Sequence, residues 1–216
     1  MTRGIAAADR RGSQDGGRTA RKRAAILEAA TTIFLRDGYL DPGMDEIAEL
    51  ADVSKQTIYK QFIGKEALFI EIVAGLTSAG SDQVHLVIVG PAPGDDLLGF
   101  LEDYACRQLS IVLTPRLMQL RRMVIGEARR FPQLGKALYD SGPGRVMETT
   151  FRRLAGRAEL RIADAAPAAS QFNWLVMAQP LNQAMLLGDA AMPEPAALRR
   201  HAADAVRVFL AACGTG

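Results

Sequence analysis

From Ser54 to Lys65 the chain reads SKQTIYKQFIGK. Lys55, Gln56, Thr57, Tyr59, Lys60 and Gln61 alternate cations with hydrogen-bonding side chains, while Ile58 and Phe62 stand four residues apart as an inward pair. Lysines neutralise phosphate, hydroxyls donate to phosphate oxygens, and the amide of Gln matches the edge of adenine as Lys matches that of guanine. Carried on one helix, that set suits a groove of double-stranded DNA. Catalytic chemistry has no comparable candidate. His85 and His201 are the only histidines, neither stands in a metal-ligand spacing or beside a plausible nucleophile, and no glycine-rich phosphate loop occurs. No enzyme activity, metal or cofactor is expected.

The elements that must position these residues follow from spacing. Met44, Ile47, Ala48 and Ala51 recur at three and four, one face of a short helix, and Ile58 and Phe62 resume the pattern after a break. Ala51-Asp52-Val53-Ser54 has the composition of a tight turn: Asp52 tolerates a left-handed backbone, Val53 tucks beneath, and Ser54 caps the next helix. The sequence therefore predicts a helix-turn-helix. Upstream, Ile26, Leu27, Ala30, Ile33 and Phe34 form a stripe ending at Gly38, well placed to stop a helix, with Arg21, Lys22 and Arg23 at its other end. Downstream, Gly64-Lys65-Glu66 opens a fourth helix, where Lys65 can meet a phosphate.

This segment resembles the DNA-binding domain of the TetR family of transcriptional regulators. The resemblance rests on Gly38-Tyr39, Met44 to Ala48, Val53 to Tyr59, Phe62 and Lys65 to Leu68, within roughly Arg21 to Ile72. It implies phosphate contacts at Tyr59 and Lys65, contact of Thr57 with phosphate or a thymine methyl, and base-edge candidates at Lys55, Gln56, Lys60 and Gln61. Arg21 at the first helix, the backbone around Met44 and the cap Ser54 complete the expected DNA-binding set. The chain departs from the family pattern at Pro42-Gly43, where Thr or Ser is usual, at Asp52 in place of a turn glycine, and at Gln61 where His is frequent.

Beyond the head, apolar stripes repeat at helical spacing to the end of the chain and no stretch alternates at period two, so the expected class is all-α. The organisation expected is a flexible basic arm over 1–18, a helix-turn-helix domain over 19–66, and a helical ligand-binding and dimerisation domain over 67–216. From Met1 to Arg36 there are eight basic residues against three acidic ones, although the whole chain carries only +2. GEARRFPQLGKALYDSGPGRV resembles the C-terminal domain of AefR-like members of the same family. That resemblance implies a homodimer built from helices near Gly144 to Leu154 and Gln171 to Leu187, and a pocket for a small-molecule effector. Tyr104, Met123, Phe131 and Trp174 are its candidate walls, with Arg121 or Glu127 as polar anchor.

The function expected is thus a ligand-responsive regulator, a repressor released from a pseudo-palindromic operator. The alternative is a helical interaction protein or enzyme whose head no longer binds DNA. Hydrophobic content of 49% suits a core that folds without staples, and Cys106 and Cys213 match no disulfide or metal pattern, which suits a reducing compartment and two buried thiols. No apolar run approaches the roughly 20 residues of a membrane span, so a cytoplasmic location is expected.

Overall fold

The computed structural model describes residues 5–85, 95–140 and 144–215. Among the described residues ten α-helices follow one another: α1 (Ile5–Asp37), α2 (Met44–Leu50), α3 (Lys55–Gln61), α4 (Lys65–His85), α5 (Leu97–Val112), α6 (Pro115–Glu127), α7 (Pro132–Asp140), α8 (Gly144–Leu154), α9 (Ala165–Leu187) and α10 (Pro195–Cys213). Among the described residues there is no β-strand, only one isolated bridge between Leu160 and Gly214. The class is all-α, as the periodicity predicts. The chain divides into two compact units, one of residues 1–73 with 123–137 and one of residues 74–122 with 138–216.

In the first unit Ile26, Ala30, Ile33 and Phe34 of α1, Ile47 and Ala48 of α2, Ile58 of α3, and Leu68, Phe69 and Val73 of α4 are all buried. Phe69 meets Phe34 and Tyr39 edge to face, Phe34 and Tyr39 are tilted against each other, and Phe131 joins them at 5.0 Å from Tyr39. Gly38 ends α1 with a left-handed backbone at φ +83°, its N–H bonded to the Phe34 carbonyl. α1 begins at Ile5, where the sequence predicts an arm without structure to residue 18. Ala, Arg and Gln over 6–14 are good helix formers, and lengthening an existing helix avoids the cost of nucleating one. The side chains of that arm up to residue 16, the turn at 141–143 and the stretch Pro91 to Gly94 lie outside the described residues.

In the second unit α9 packs against α8, α10 and α5. Phe151, Phe172 and Phe209 meet pairwise at 5.3 to 5.4 Å at the centre. α9 carries Pro180 in its interior, which removes the N–H that would bond to the Val176 carbonyl one turn back. His201 of α10 supplies the missing partner: its Nε2 lies 2.8 Å from the Val176 oxygen. A carbonyl oxygen can only accept, so Nε2 carries the proton and donates. One of the two histidines is therefore structural. Both cysteines are free and half-buried rather than enclosed.

Candidate nucleic-acid interface

The turn between α2 and α3 places the polar face. Asp52 adopts φ +52°, the left-handed conformation its type tolerates, and it is the one non-glycine residue with positive φ among the described residues. Val53 donates its N–H to the Ala48 carbonyl, closing the turn. Ser54 then caps α3, its Oγ accepting from the Thr57 N–H at 3.2 Å and lying 2.8 Å from the Thr57 hydroxyl. α2 starts less firmly, because Gly43 at its cap has no side chain to offer.

With Ile58 fully buried and Phe62 nearly so, α3 turns Lys55, Gln56, Tyr59 and Lys60 to solvent. Arg21 is also exposed, on α1. Three other residues named from the sequence are placed differently. Gln61 is half-buried with its Oε1 enclosed, because it lies three positions from Ile58 and shares its inward side. Met44 is 8% exposed and belongs to the core, so only its backbone remains available to a ligand. The Lys65 ammonium donates to the Leu40 carbonyl at 2.8 Å and sits 5.1 Å from the Tyr39 ring centre and 5.8 Å from that of Phe34. Burial lowers its pKa below the ordinary 10.5, with Asp41 acting in the opposite direction.

Electrostatics tie the small helices together. Lys55 Nζ donates to Asp45 Oδ2 of α2 at 2.8 Å, and that hydrogen bond raises its pKa, keeping it a cation. Arg36 joins Asp37 and Glu46, linking the end of α1 to α2. Arg23 pairs with Glu71, reaches the Gln61 carbonyl, and stacks over Phe62 at 4.5 Å, so α1, α3 and α4 share one guanidinium. Neither Asp45 as the partner of Lys55 nor Arg23 as a brace was visible in the sequence. Both are ion pairs between helices, and residue type alone carries no signal for such pairing.

The residues expected to line an effector pocket fall in both units. Met123, Glu127 and Phe131 belong to the first, where Phe131 stacks on Tyr39 and Glu127 has an enclosed Oε2 without a partner. Tyr104, Arg121 and Trp174 belong to the second. Tyr104 is buried in the core, burial lowers the pKa of Arg121, and Trp174 is 60% exposed. A cleft of about 590 Å³ in the second unit is lined by other residues of α5 and by the segment entering α10.

Comparison with known proteins agrees with this arrangement. Residues 26–72 match the model of "Bacterial regulatory proteins, tetR family", and residues 100–215 that of "AefR-like transcriptional repressor, C-terminal domain". A solved structure of a putative TetR-family transcriptional regulator from Mesorhizobium loti MAFF303099 is 35% identical, with a TM-score of 0.81 over 92% of this chain and 99% of that one. The flavonoid-responsive regulator FrrA is 28% identical, with a TM-score of 0.74 over 91% and 98%. An uncharacterised helix-turn-helix regulator, YhgD of Bacillus subtilis (strain 168), is 34% identical over 107 residues, or 47% of this chain, and the match spans 56% of that protein's length. With the helix-turn-helix in place at one end and the AefR-like domain matched over most of the remainder, the chain belongs to the TetR family of bacterial transcriptional regulators.

Proposed function

We propose that this chain is a homodimeric repressor that binds a pseudo-palindromic DNA operator and leaves it when a small molecule binds the second unit. The observation that carries the reading is the outward face of α3: Lys55, Gln56, Tyr59 and Lys60 exposed above a buried Ile58, on a helix whose start Ser54 caps. Two copies would enter successive major grooves about 34 to 36 Å apart. Self-association is supported by α9, where Trp174, Leu186 and Leu187 are exposed, apolar area that a monomer rarely leaves in water. Ligand response is supported by the flavonoid-responsive relative and by the AefR-like domain. The effector acts only through its preference between the DNA-competent arrangement and another one.

Fluorescence polarisation with duplexes from upstream of the encoding gene tests this at two salt concentrations. Specific binding that weakens with salt, and that Lys60→Glu abolishes while the dimer persists, is expected. Absence of any salt-sensitive specific binding ends the DNA reading, and DNA binding by a strict monomer ends the paired-helix reading. A reporter driven by the bound promoter separates repression from activation.

A further inference from the structure

The cleft of about 590 Å³ lies wholly within the second unit, between α5 and the start of α10. That volume is in the range that encloses a small organic ligand, about 300 to 1,000 Å³. Leu113, Met192 and Leu198 give it aliphatic walls, and no aromatic ring lines it, so it has no platform to select a planar ligand by stacking. Two guanidinium groups, Arg107 and Arg199, share it with a single carboxylate, Asp103. Neither arginine makes a salt bridge or side-chain hydrogen bond with the described residues, whereas Arg122 nearby in sequence is held by Asp189 and the Ala184 carbonyl. Arg107 is half-buried, which strengthens its attraction for an anion over that of a fully solvated cation.

We propose that this cleft binds a small aliphatic carboxylate, its head group bridged by Arg107 and Arg199 and its chain covered by Leu113, Met192 and Leu198. A guanidinium presents paired N–H donors that match the two oxygens of a carboxylate, which favours this anion over a point charge of equal sign. Asp103 offsets one of the two positive charges and disfavours ligands of high negative charge. The Cys106 thiol also faces the cleft. Burial pushes its pKa up, with Asp103 adding to the rise, so it is a weak nucleophile and serves as a reporter of occupancy rather than as a reactive group.

The proposal is independent of DNA binding, and its test contains no DNA. The full-length protein is titrated calorimetrically with decanoate, decan-1-ol and decylamine near neutral pH. Decanoate is expected to bind saturably, decan-1-ol at least about tenfold more weakly, as loss of a charge-assisted hydrogen bond implies, and decylamine not at all. Arg107→Gln with Arg199→Gln is expected to weaken decanoate by at least about tenfold while leaving decan-1-ol unchanged. In the unaltered protein, decanoate is expected to slow iodoacetamide labelling of Cys106 but not of Cys213, measured peptide by peptide. No decanoate binding, equal affinity for the alcohol, indifference to the double substitution, or equal protection of both cysteines would overturn it.

Discussion

Lys55 of α3 and Asp45 of α2 form an ion pair at 2.8 Å, so the first cation on the exposed face of α3 is already held by a carboxylate on its neighbour. Both side chains are largely exposed, so solvent screening leaves the pair little weight in stability. Its larger effect falls on DNA binding, since Asp45 places a negative charge beside the phosphates that Lys55 would meet. Asp45→Asn is expected to raise affinity for random-sequence duplex while leaving the midpoint of urea unfolding nearly unchanged. If Lys55 touches a phosphate, Lys55→Gln will reduce the slope of log affinity against log salt by about 0.9. Unchanged affinity in Asp45→Asn would remove the carboxylate from the binding surface.

Ser54 caps α3, and under the proposed DNA reading it also lies near phosphate. Ser54→Ala loses the bond from the Thr57 N–H and is expected to cost about 0.5 to 2 kcal/mol in denaturant unfolding. Ser54→Asp restores an acceptor at the cap and is expected to recover most of that stability. It also adds a negative charge at the start of α3, so if that end meets the phosphates, operator binding should weaken in Ser54→Asp even where stability returns. A variant that recovers both would place Ser54 away from the phosphates.

The pairing of His201 with Val176 across α10 and α9 answers the break made by Pro180. His201→Ala leaves the Val176 carbonyl without a donor inside the unit, with an expected cost of about 1 to 3 kcal/mol. Pro180→Ala returns a backbone N–H to α9. In the His201→Ala background it is therefore expected to recover part of the loss, giving a non-additive double-mutant cycle. Strict additivity would show that the histidine does not stand in for the proline's missing N–H.

The head was the legible part of this sequence because its rules are local. The left-handed backbone at Asp52, the cap at Ser54, the stop at Gly38 and the inward pair Ile58 and Phe62 each follow from residue type and spacing over a few positions. Gln61 and Lys65 were harder, since their placement depends on neighbours. Gln61 lies on the margin of the inward face of α3, and Lys65 turns toward a carbonyl and two rings contributed by other segments. Pocket residues were least legible. An apolar residue reads the same whether it faces a core, a cleft or a partner, which is why core-bound Tyr104 and exposed Trp174 were grouped together.

Lys65 yields a pH dependence with a definite sign. Burial lowers its pKa in the folded state, so between that lowered value and the ordinary 10.5 the unfolded chain binds the extra proton. Stability then rises with pH across that window, because the folded state no longer has to hold a partly desolvated ammonium. Tyr39, whose pKa burial raises, acts in the opposite sense as pH rises. Comparison with Lys65→Met isolates the lysine. The stability of the unaltered protein relative to Lys65→Met is expected to increase as pH rises toward 10.5, by urea unfolding at each pH. A flat or falling difference would mean that the Leu40 carbonyl and the two rings outweigh desolvation.

Tyr104 and Gln108 stand one turn apart on α5, both buried, and each has an enclosed oxygen without a hydrogen-bond partner. They differ in what else they do. Gln108 donates its Nε2 to Asn173 Oδ1 at 2.7 Å, so Gln108→Leu strips a half-buried acceptor of its donor and is expected to destabilise by about 1 kcal/mol. Tyr104 contributes a ring to the cluster with Phe100 and Phe172 while its hydroxyl goes unmatched, and burial raises the pKa of that phenol. Tyr104→Phe keeps the ring contacts and removes the unmatched group, so stability is expected to stay level or rise by about 1 kcal/mol. A loss greater than about 1 kcal/mol would show that the hydroxyl is paired in solution. The two substitutions are therefore expected to part in the midpoint of urea unfolding, Gln108→Leu falling below Tyr104→Phe, although both remove a buried polar group from the same face of one helix.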